Sequence, residues 1–474
     1  MREAEHSGAP PAAIGAPLPL RAGERGTPMS AVDRAWLRMD EPANLMHVHG
    51  VLVLDGAVSI DQARQLLAER LGRIPRFAQR VASDGSRTVW TDDTQFDIRR
   101  HVTEEELPDG GTDAALARVL SGHLGRPFDR AHPLWEYLLL QGFHGSDTVV
   151  FCRIHHAIGD GVALMLVLLS MTDLDAAGEA RNPFVELLAG GSHAPYATVV
   201  AEAERLMPET MRLMTASAEG FARAGALRRG LGSVAGLGRL LARPADPLTR
   251  FKGELGVEKR VAWTPPIPLE EVRALARRLG GTLNDLLNSA MAGGLRRYLA
   301  DAGALPDGCC FRAAMPVNLR PLDEMAALGN RFGLVFLELP VGVADPLERF
   351  ERIRRNALAL RRSAEPLVVH GLLSFAGASP LALQRLLVRI FGSKATAVFT
   401  NVPGPRQPVW FAGRRMRDIF FWVPQAGRLG LGVSILSYCG VVRMGVGTDA
   451  GLVPDPGRIV DGFTAELEAL AARG

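Results

Sequence analysis

Length, composition and charge limit what kind of protein this chain can be. It has 474 residues, of which 47% are hydrophobic, so it can bury a large core and we expect two domains rather than one. The formal net charge is only +3, with 54 basic and 51 acidic side chains. This near-balance, without a patch of interleaved aromatic and basic residues, argues against nucleic acid as a partner.

The cysteines and the N-terminus indicate a compartment. Cys152, Cys309, Cys310 and Cys439 have neither CxxC spacing nor a disulfide-framework pattern, which is typical of a reducing cytoplasm. The sequence contains no run of about 18 apolar residues, so no bilayer-spanning segment is predicted. Residues 1–29 are rich in alanine, proline and glycine and lack the apolar stretch of a secretory signal, so we predict a disordered tail there.

Strand and helix signals then alternate along the chain. Val48–Leu54 is predicted as a strand, and a Ser-x-x-Gln pattern at Ser59 predicts the cap of a following helix. Thr148–Ile154 is a second predicted strand, and the apolar residues 162–171 are of helical length. Mixed signals of this kind predict α/β layers.

Between these two elements, residues 155–161 read His-His-Ala-Ile-Gly-Asp-Gly, an HHxxxDG pattern. Histidine suits proton exchange near neutral pH, and the end of a strand can hold it rigidly beside a cleft. Asp160 either caps the next helix or orients a ring, while Gly159 and Gly161 permit tight-turn angles. No metal site is predicted, since adjacent histidines rarely share one ion and neither HExxH nor paired CxxC occurs.

The middle of the chain allows two interpretations. Residues 220–245 contain five arginines and no acidic residue, with leucines and glycines between them. A basic segment of this kind can lie on a membrane surface. Alternatively it is a flexible crossover linker with solvated arginines, because its glycines weaken a continuous helix.

Helices and strands resume in the second half. Leu269–Leu279 is predicted as a helix, and Thr282 with Asp285 resembles a capping box at the start of the next. Asn284 in the same Thr-Leu-Asn-Asp block can instead face a cleft. The later predicted elements are a strand at 332–339, a helix at 346–363, a proline-built turn at 401–405 and a hairpin at 431–437 and 441–446.

Several short blocks occur in a fixed order around HHAIGDG. They are Asp33-Arg34-Ala35-Trp36-Leu37, Met46-His47-Val48, Pro133-Leu134-Trp135-Glu136, Thr282-Leu283-Asn284-Asp285, Pro316-Val317-Asn318-Leu319-Arg320, Gly329-Asn330-Arg331-Phe332-Gly333 and Asn401-Val402-Pro403-Gly404-Pro405. Over roughly residues 30–470 this set resembles the bacterial wax ester synthase/acyl-CoA:diacylglycerol acyltransferase family.

The resemblance implies a fold and a domain organisation. The fold is α/β, with two chloramphenicol-acetyltransferase-like lobes, each a mixed sheet with flanking helices, around a central active-site channel. We expect the N-terminal lobe over 30–185 and a helical, basic crossover linker over 186–261. The C-terminal lobe would span 262–474, although a family-based boundary near 300–325 is the alternative.

The resemblance also implies direct acyl transfer from a long-chain acyl-CoA to diacylglycerol or a long-chain alcohol, giving triacylglycerol or wax ester. Acyl-CoA is then a substrate, and no cofactor is expected. The absence of a G-x-S-x-G elbow agrees with transfer that forms no acyl-serine. We expect a cytoplasmic protein, with attachment to the inner membrane face or to lipid droplets as a further option.

Roles for individual residues follow from the same resemblance. His156 is expected to be the general base, with His155 and Asp160 supporting it and Gly161 in the turn. Asp160 would pair with a buried arginine that the sequence does not identify. The remaining candidates for substrate binding or structure are Asn284, Asp285, Asn401 and Trp135, of which Asn284 and Asn401 could donate to an oxyanion.

Three other functions share part of this pattern. A carrier-protein-dependent condensation domain also has HHxxxDG, but no carrier segment is visible. A glycerol-phosphate acyltransferase would need an FPEGxR-type block, which is absent. A lipid-binding or droplet-coating relative without activity is the third, and the intact HHAIGDG argues against it.

Overall fold

The computed structural model describes most of the chain. The described residues are 14, 16–182, 184–188, 201, 203–208, 211–212, 238, 242–320, 324, 328–361, 363, 365–425 and 427–473. The basic segment predicted at 220–245 therefore lies outside the described residues, except at 238 and 242–245.

Several of the helices begin at a residue whose side chain caps the first turn. The described helices are α1 (Ala31–Met39), α2 (Ile60–Leu71), α3 (Ile98–His101), α4 (Asp113–Leu124), α5 (Gly161–Ser170), α6 (Phe184–Leu188), α7 (Leu269–Arg278), α8 (Leu283–Asp301), α9 (Pro346–Arg361), α10 (Glu365–Ala378), α11 (Leu381–Gly392) and α12 (Gly457–Ala471). Reciprocal capping boxes begin α2, through Ser59 and Gln62, and α8, through Thr282 and Asp285.

The strands belong to three sheets. They are β1 (Leu18–Pro19), β2 (Thr27–Pro28), β3 (His47–Leu54), β4 (Gln79–Ser83), β5 (Thr88–Asp92), β6 (Val102–Glu106), β7 (Trp135–Phe143), β8 (Asp147–His155), β9 (Lys259–Trp263), β10 (Ile267–Pro268), β11 (Phe311–Asn318), β12 (Phe332–Leu339), β13 (Ala397–Pro403), β14 (Trp410–Phe411), β15 (Arg414–Trp422), β16 (Leu431–Tyr438) and β17 (Val441–Asp449).

The first large sheet has the strand order β14-β15-β3-β8-β7-β6 and carries the histidine pair at the end of β8. Two of its strands come from the C-terminal part of the chain. Strand β15 pairs antiparallel with β3, which places Trp422 opposite His49. A division by chain order does not describe this exchange of strands, and the boundaries at 30–185, 186–261 and 262–474 stay a prediction.

The second large sheet has the order β10-β17-β16-β13-β11-β12, with β9 paired to β17. Helices α7, α8 and α12 contribute to a core on this sheet, and it is separate from the core around α5 and β8. Both sheets mix parallel and antiparallel pairs with flanking helices, so the predicted two-lobed α/β fold is confirmed.

Two local predictions were wrong. Residues 18–19 and 27–28 are not part of a disordered tail, because β1 and β2 pair with β4 and β5 in a small four-stranded sheet. Asn401–Pro403 does not form a turn: these residues continue β13 in parallel register with β16, and the proline lies at the strand end, where its missing N–H costs least.

Among the described residues, no helix combines the length and the apolar character needed to cross a bilayer.

Candidate active site

The HHAIGDG segment is a loop fixed at both ends. His155 is the last residue of β8, and helix α5 begins at Gly161. The backbone N–H of His156 donates to the carbonyl of Met46, just before β3, over 2.7 Å. Further along, Gly159 forms a parallel bridge with Gly329 from the second half of the chain. The loop therefore joins the two parts of the protein.

The half-buried ring of His156 is held on two sides. It stacks on the indole of Trp36 with ring centroids 4.1 Å apart and an angle of 10° between the planes. Its Nδ1 atom lies 2.9 Å from Oδ1 of Asn330. Stacking fixes the plane of the imidazole, and the hydrogen bond fixes its rotation within that plane.

The surroundings of Asn330 determine which nitrogen of His156 carries the proton. Its Nδ2 group donates to Oδ1 of the buried Asp33 over 2.8 Å and to the carbonyl of His156 over 2.7 Å. Because both contacts need a donor, the amide oxygen must face His156 as an acceptor. Nδ1 of His156 then carries the hydrogen, and Nε2 keeps its lone pair.

The charge state of His156 follows from its burial. Removal from water lowers the pKa of His156 to about 4, although the side-chain hydrogen bond of Asn330 and the charge of Asp160 act in the opposite direction. The ring is therefore neutral at physiological pH. Its Nε2 makes no hydrogen bond to any described residue, so it is the nitrogen available to a ligand.

His155 has a different environment. Its Nδ1 accepts the backbone N–H of Ala157 over 2.9 Å, which leaves Nε2 to donate to Oδ2 of Asp40 over 3.0 Å. Both nitrogens are engaged, and the side chain is buried. These bonds hold the end of β8 against the segment after α1.

Asp160 is a structural junction. Oδ1 caps α5 by accepting the backbone N–H of Ala163, while Oδ2 accepts from Arg320 and from the backbone N–H of Arg331, each over 2.9 Å. Arg320 is thus the buried arginine whose identity the sequence left open. The carboxylate holds the loop between the first large sheet and the 329–331 segment.

Glycine is required at position 329, which pairs with the HHAIGDG loop, rather than at position 161, where the loop ends. Gly329 has φ of +100°, and a Cβ atom there would lie 3.2 Å from Oδ2 of Asp33. Gly161 was predicted as a turn glycine, but its φ is not positive and an added Cβ would meet no atom within 4 Å. The backbone angle and the space around a Cβ atom therefore give no steric reason for glycine at this position, and the role of Gly161 stays a prediction.

Ligand atoms of Asp40, His47 and His155 lie within 4.8 Å of one another, as a metal site would require. Hydrogen bonds account for this arrangement. Asp40 accepts from His155, from Arg130 over 3.1 Å and from the backbone N–H of Met46. The nearby arginine charges disfavour a cation, and the absence of a metal from the mechanism stays a prediction.

A cavity of about 1160 Å³ begins at His156 and extends between the two large sheets. Small-molecule sites commonly enclose about 300–1,000 Å³, so the space is large even for a drug-sized ligand. Apolar side chains dominate its lining. They come from β3, β8, α5, β12, β13 and β15 and from the inner faces of α10 and α11. The cavity suits long hydrocarbon chains.

Two family models cover most of the chain. Residues 29–287 match the wax ester synthase/diacylglycerol acyltransferase catalytic domain, and residues 328–471 match the WS/DGAT C-terminal domain. The chain belongs to the wax ester synthase/diacylglycerol acyltransferase family. As a member of this family it is an acyltransferase, and the predicted family membership is confirmed.

Individual relatives agree with the family models. A Mycobacterium tuberculosis (strain H37Rv) protein that carries the name diacylglycerol O-acyltransferase is 30% identical over 93% of this chain and 89% of its own length. The wax ester synthase/diacylglycerol acyltransferase of Marinobacter aquaeolei VT8 has the same fold, with a TM-score of 0.69 at 21% identity over 94% of this chain and 99% of that one. The first condensation domain of the CDA synthetase also shares the fold, with a TM-score of 0.59 at 15% identity over 95% and 97%.

The other predicted residues of this family member separate into two groups. Asn284 and Asn401 both line the cavity, and Nδ2 of Asn401 donates to Oδ1 of Asn284 over 2.6 Å. Asp285 also borders the cavity, but its carboxylate closes the capping box by accepting from Thr282. Trp135 is buried outside the cavity lining, where its indole N–H donates to the carbonyl of Phe77.

Sequence reasoning missed the residues that hold His156. Asp33, Trp36 and Asn330 occur in blocks that carried the family resemblance, yet no role was predicted for them. The available signal was weak: an asparagine after a glycine, and an aspartate inside a short helix. Only the fold brings these residues together, because Trp36 lies 120 positions from His156 in the sequence, and Asn330 lies 174 positions from His156 and 297 from Asp33.

Proposed function

We propose that this acyltransferase moves a long-chain acyl group from CoA directly to the hydroxyl of diacylglycerol or of a long-chain alcohol, with His156 as the general base. The observation that carries the proposal is the neutral His156, whose Nδ1 is engaged by Asn330 and whose Nε2 is available at an apolar cavity. Family membership and the names of the relatives support the same substrates.

A single base, His156, accounts for both proton transfers of the reaction. Nε2 of His156 takes the proton of the acceptor hydroxyl as that oxygen attacks the thioester carbonyl. The tetrahedral intermediate then breaks its carbon–sulfur bond, and the imidazolium returns the proton to the departing thiolate, giving ester and free CoA. No cofactor is needed, because both reacting groups are substrates.

Other residues are assigned positioning roles. Asn330 and Asp33 keep the tautomer of His156, while His155 and Asp160 fix the loop through Asp40 and Arg320. We assign Asn284 and Asn401 to the oxyanion, because their amide groups are polar positions in an apolar lining and amides are effective donors.

A purified-protein assay tests the proposal. The chain is given a long-chain acyl-CoA with diacylglycerol or hexadecanol in detergent micelles, and free CoA is measured. We expect CoA release with at least one acceptor, and its loss in His156→Ala while circular dichroism and the melting temperature are retained. Absence of release with both acceptors, or turnover by His156→Ala, would contradict the proposal. Asn284→Ala should lower kcat with little change in the melting temperature.

A further inference from the structure

The helical hairpin formed by α10 and α11 has an unusual distribution of apolar side chains. Eight large apolar side chains are exposed among the described residues, and five of them lie on this hairpin. They are Leu367, Phe375, Leu381, Leu383 and Leu386, with Phe375 exposed to 56%. Exposed apolar side chains concentrated on one element indicate a binding surface rather than ordinary surface scatter.

Helix α11 is inverted relative to an ordinary surface helix. Its only fully buried side chain is Gln384, whose amide donates to the carbonyl of Ala35, while Leu381, Leu383 and Leu386 are exposed. A helix that packed only against its own protein would bury leucine and expose glutamine. The outer face of α11 is therefore built for an apolar environment that the chain itself does not supply.

Beyond the buried Glu365, the ionised side chains of this hairpin are all basic. No aspartate or glutamate occurs between Glu365 and Asp418. Arg385 and Arg389 are exposed on α11, and their guanidinium groups form no ion pair or hydrogen bond with the rest of the described chain. Unpaired arginines next to exposed leucines match an anionic, apolar surface, as phospholipid headgroups over acyl chains provide.

The opposite face of the same hairpin belongs to the cavity. Val369, Leu373 and Ala376 of α10 and Val388 and Phe391 of α11 line it. A single layer of helices, about 10 Å thick, thus separates the proposed acyl site from the exposed leucines.

The hairpin is also connected to the catalytic histidine through α1. Gly377 lies so close to α1 that an added Cβ would overlap the carbonyl of Ala31. Side chains bond to backbone carbonyls across this contact: Arg34 to Gly377 (2.7 Å), Arg38 to Ser379 (3.0 Å) and Gln384 to Ala35 (2.8 Å). Helix α1 carries Trp36, on which His156 stacks.

We propose that the outer face of the α10–α11 hairpin docks this enzyme on the surface of an anionic phospholipid membrane. The inference rests on the proposed function, since diacylglycerol and long-chain alcohols reside in lipid rather than in water. Docking by the hairpin brings the wall of the acyl cavity against the phase that holds the acceptor.

Vesicle flotation tests the docking surface. The full chain is mixed with vesicles of phosphatidylcholine alone, or of equal parts phosphatidylcholine and phosphatidylglycerol. We expect Leu383→Glu/Leu386→Glu to lower the partition coefficient on the mixed vesicles at least tenfold. Arg385→Ala/Arg389→Ala should lower it by about fivefold per arginine at low salt, and not on neutral vesicles. Leu18→Glu, at a similarly exposed leucine on β1, is the matched control.

Activity measurements separate this proposal from the proposed function. The Leu383→Glu/Leu386→Glu variant should keep CoA release with acceptor in detergent micelles and lose it with acceptor in mixed vesicles. If the Leu383→Glu/Leu386→Glu variant binds vesicles as well as the unmodified chain does, the proposed docking surface is wrong. A second result would also overturn it: the unmodified chain is a dimer that does not bind vesicles, and the double variant is a monomer. In that case a second copy of the chain, and not a membrane, would cover the face. If the unmodified chain itself releases no CoA in micelles, the result counts against the proposed function instead.

Discussion

Replacement of Asn330 by alanine isolates the control of the His156 tautomer. The amide makes three hydrogen bonds: to Nδ1 of His156 at 2.9 Å, to Asp33 at 2.8 Å and to the carbonyl of His156 at 2.7 Å. A neutral hydrogen bond contributes about 0.5–1.5 kcal/mol and one to a carboxylate about 1.5–3 kcal/mol. The variant should therefore lose roughly 2.5–6 kcal/mol of unfolding free energy.

The effect on catalysis should exceed the effect on substrate binding. Without an acceptor at Nδ1, the ring is free to carry its proton on Nε2, where it cannot act as a base. We expect kcat to fall by roughly 10²–10⁴-fold, the usual contribution of general base catalysis, while KM for acyl-CoA stays near its original value. Urea unfolding and steady-state CoA release measure the two effects.

The control for this experiment is Asn356→Ala on α9, which removes one bond to the carbonyl of Glu338 far from the loop. It should cost about 0.5–1.5 kcal/mol and leave kcat unchanged. If Asn330→Ala destabilises the protein as calculated but keeps kcat within twofold, the tautomer of His156 is not set by Asn330 and the reasoning fails.

Three further predictions follow from the loop. Burial lowers the pKa of His156 to about 4, so acid should protonate the base only near that pH. We expect kcat/KM to rise through about pH 4 and to be level above about pH 5, whereas an inflection near pH 6.5 would contradict this. Arg320→Ala leaves Asp160 buried without its cation, so urea titration should show a loss of about 3–5 kcal/mol in the free energy of unfolding. Arg320→Lys should restore part of this stability, and an unchanged stability in Arg320→Ala would show that the ion pair is not needed. Gly161→Ala should keep or raise stability by about 0.4–1 kcal/mol, since nothing contacts an added Cβ. A raised KM in that variant would mark the start of α5 as a substrate contact, whereas a lowered melting temperature would refute the packing argument.

Local signals predicted the elements well. The capping boxes at Ser59 and Thr282 each depend on residues three positions apart, so the sequence alone reveals them. Strand β12 was predicted with its observed ends, because a short run of aromatic and aliphatic residues is a local property of the sequence. The end of β13 was missed because Pro403 and Gly404 also favour turns, and only pairing with β16 decides between the two.

The candidate site could be predicted only in part. HHAIGDG identified the histidines and Asp160, yet the arginine that pairs with Asp160 lies 160 positions away. Nothing in local periodicity distinguishes Arg320 from the other arginines of the chain. The same limit applies to Asp33 and Asn330, which contact each other across 297 positions.

The exchange of β15 between the two parts of the chain has a consequence for synthesis. Strand β3 is covered on one side by β8, but its other edge stays open until residues 414–422 have been translated. At about 5–20 residues per second, the ribosome needs roughly 13–53 s to proceed from His155 to Trp422. During this interval β3 presents unpaired backbone groups to other nascent chains, so the sheet that carries the histidines completes late. A fragment that ends before β15 should accordingly aggregate rather than fold into an isolated lobe.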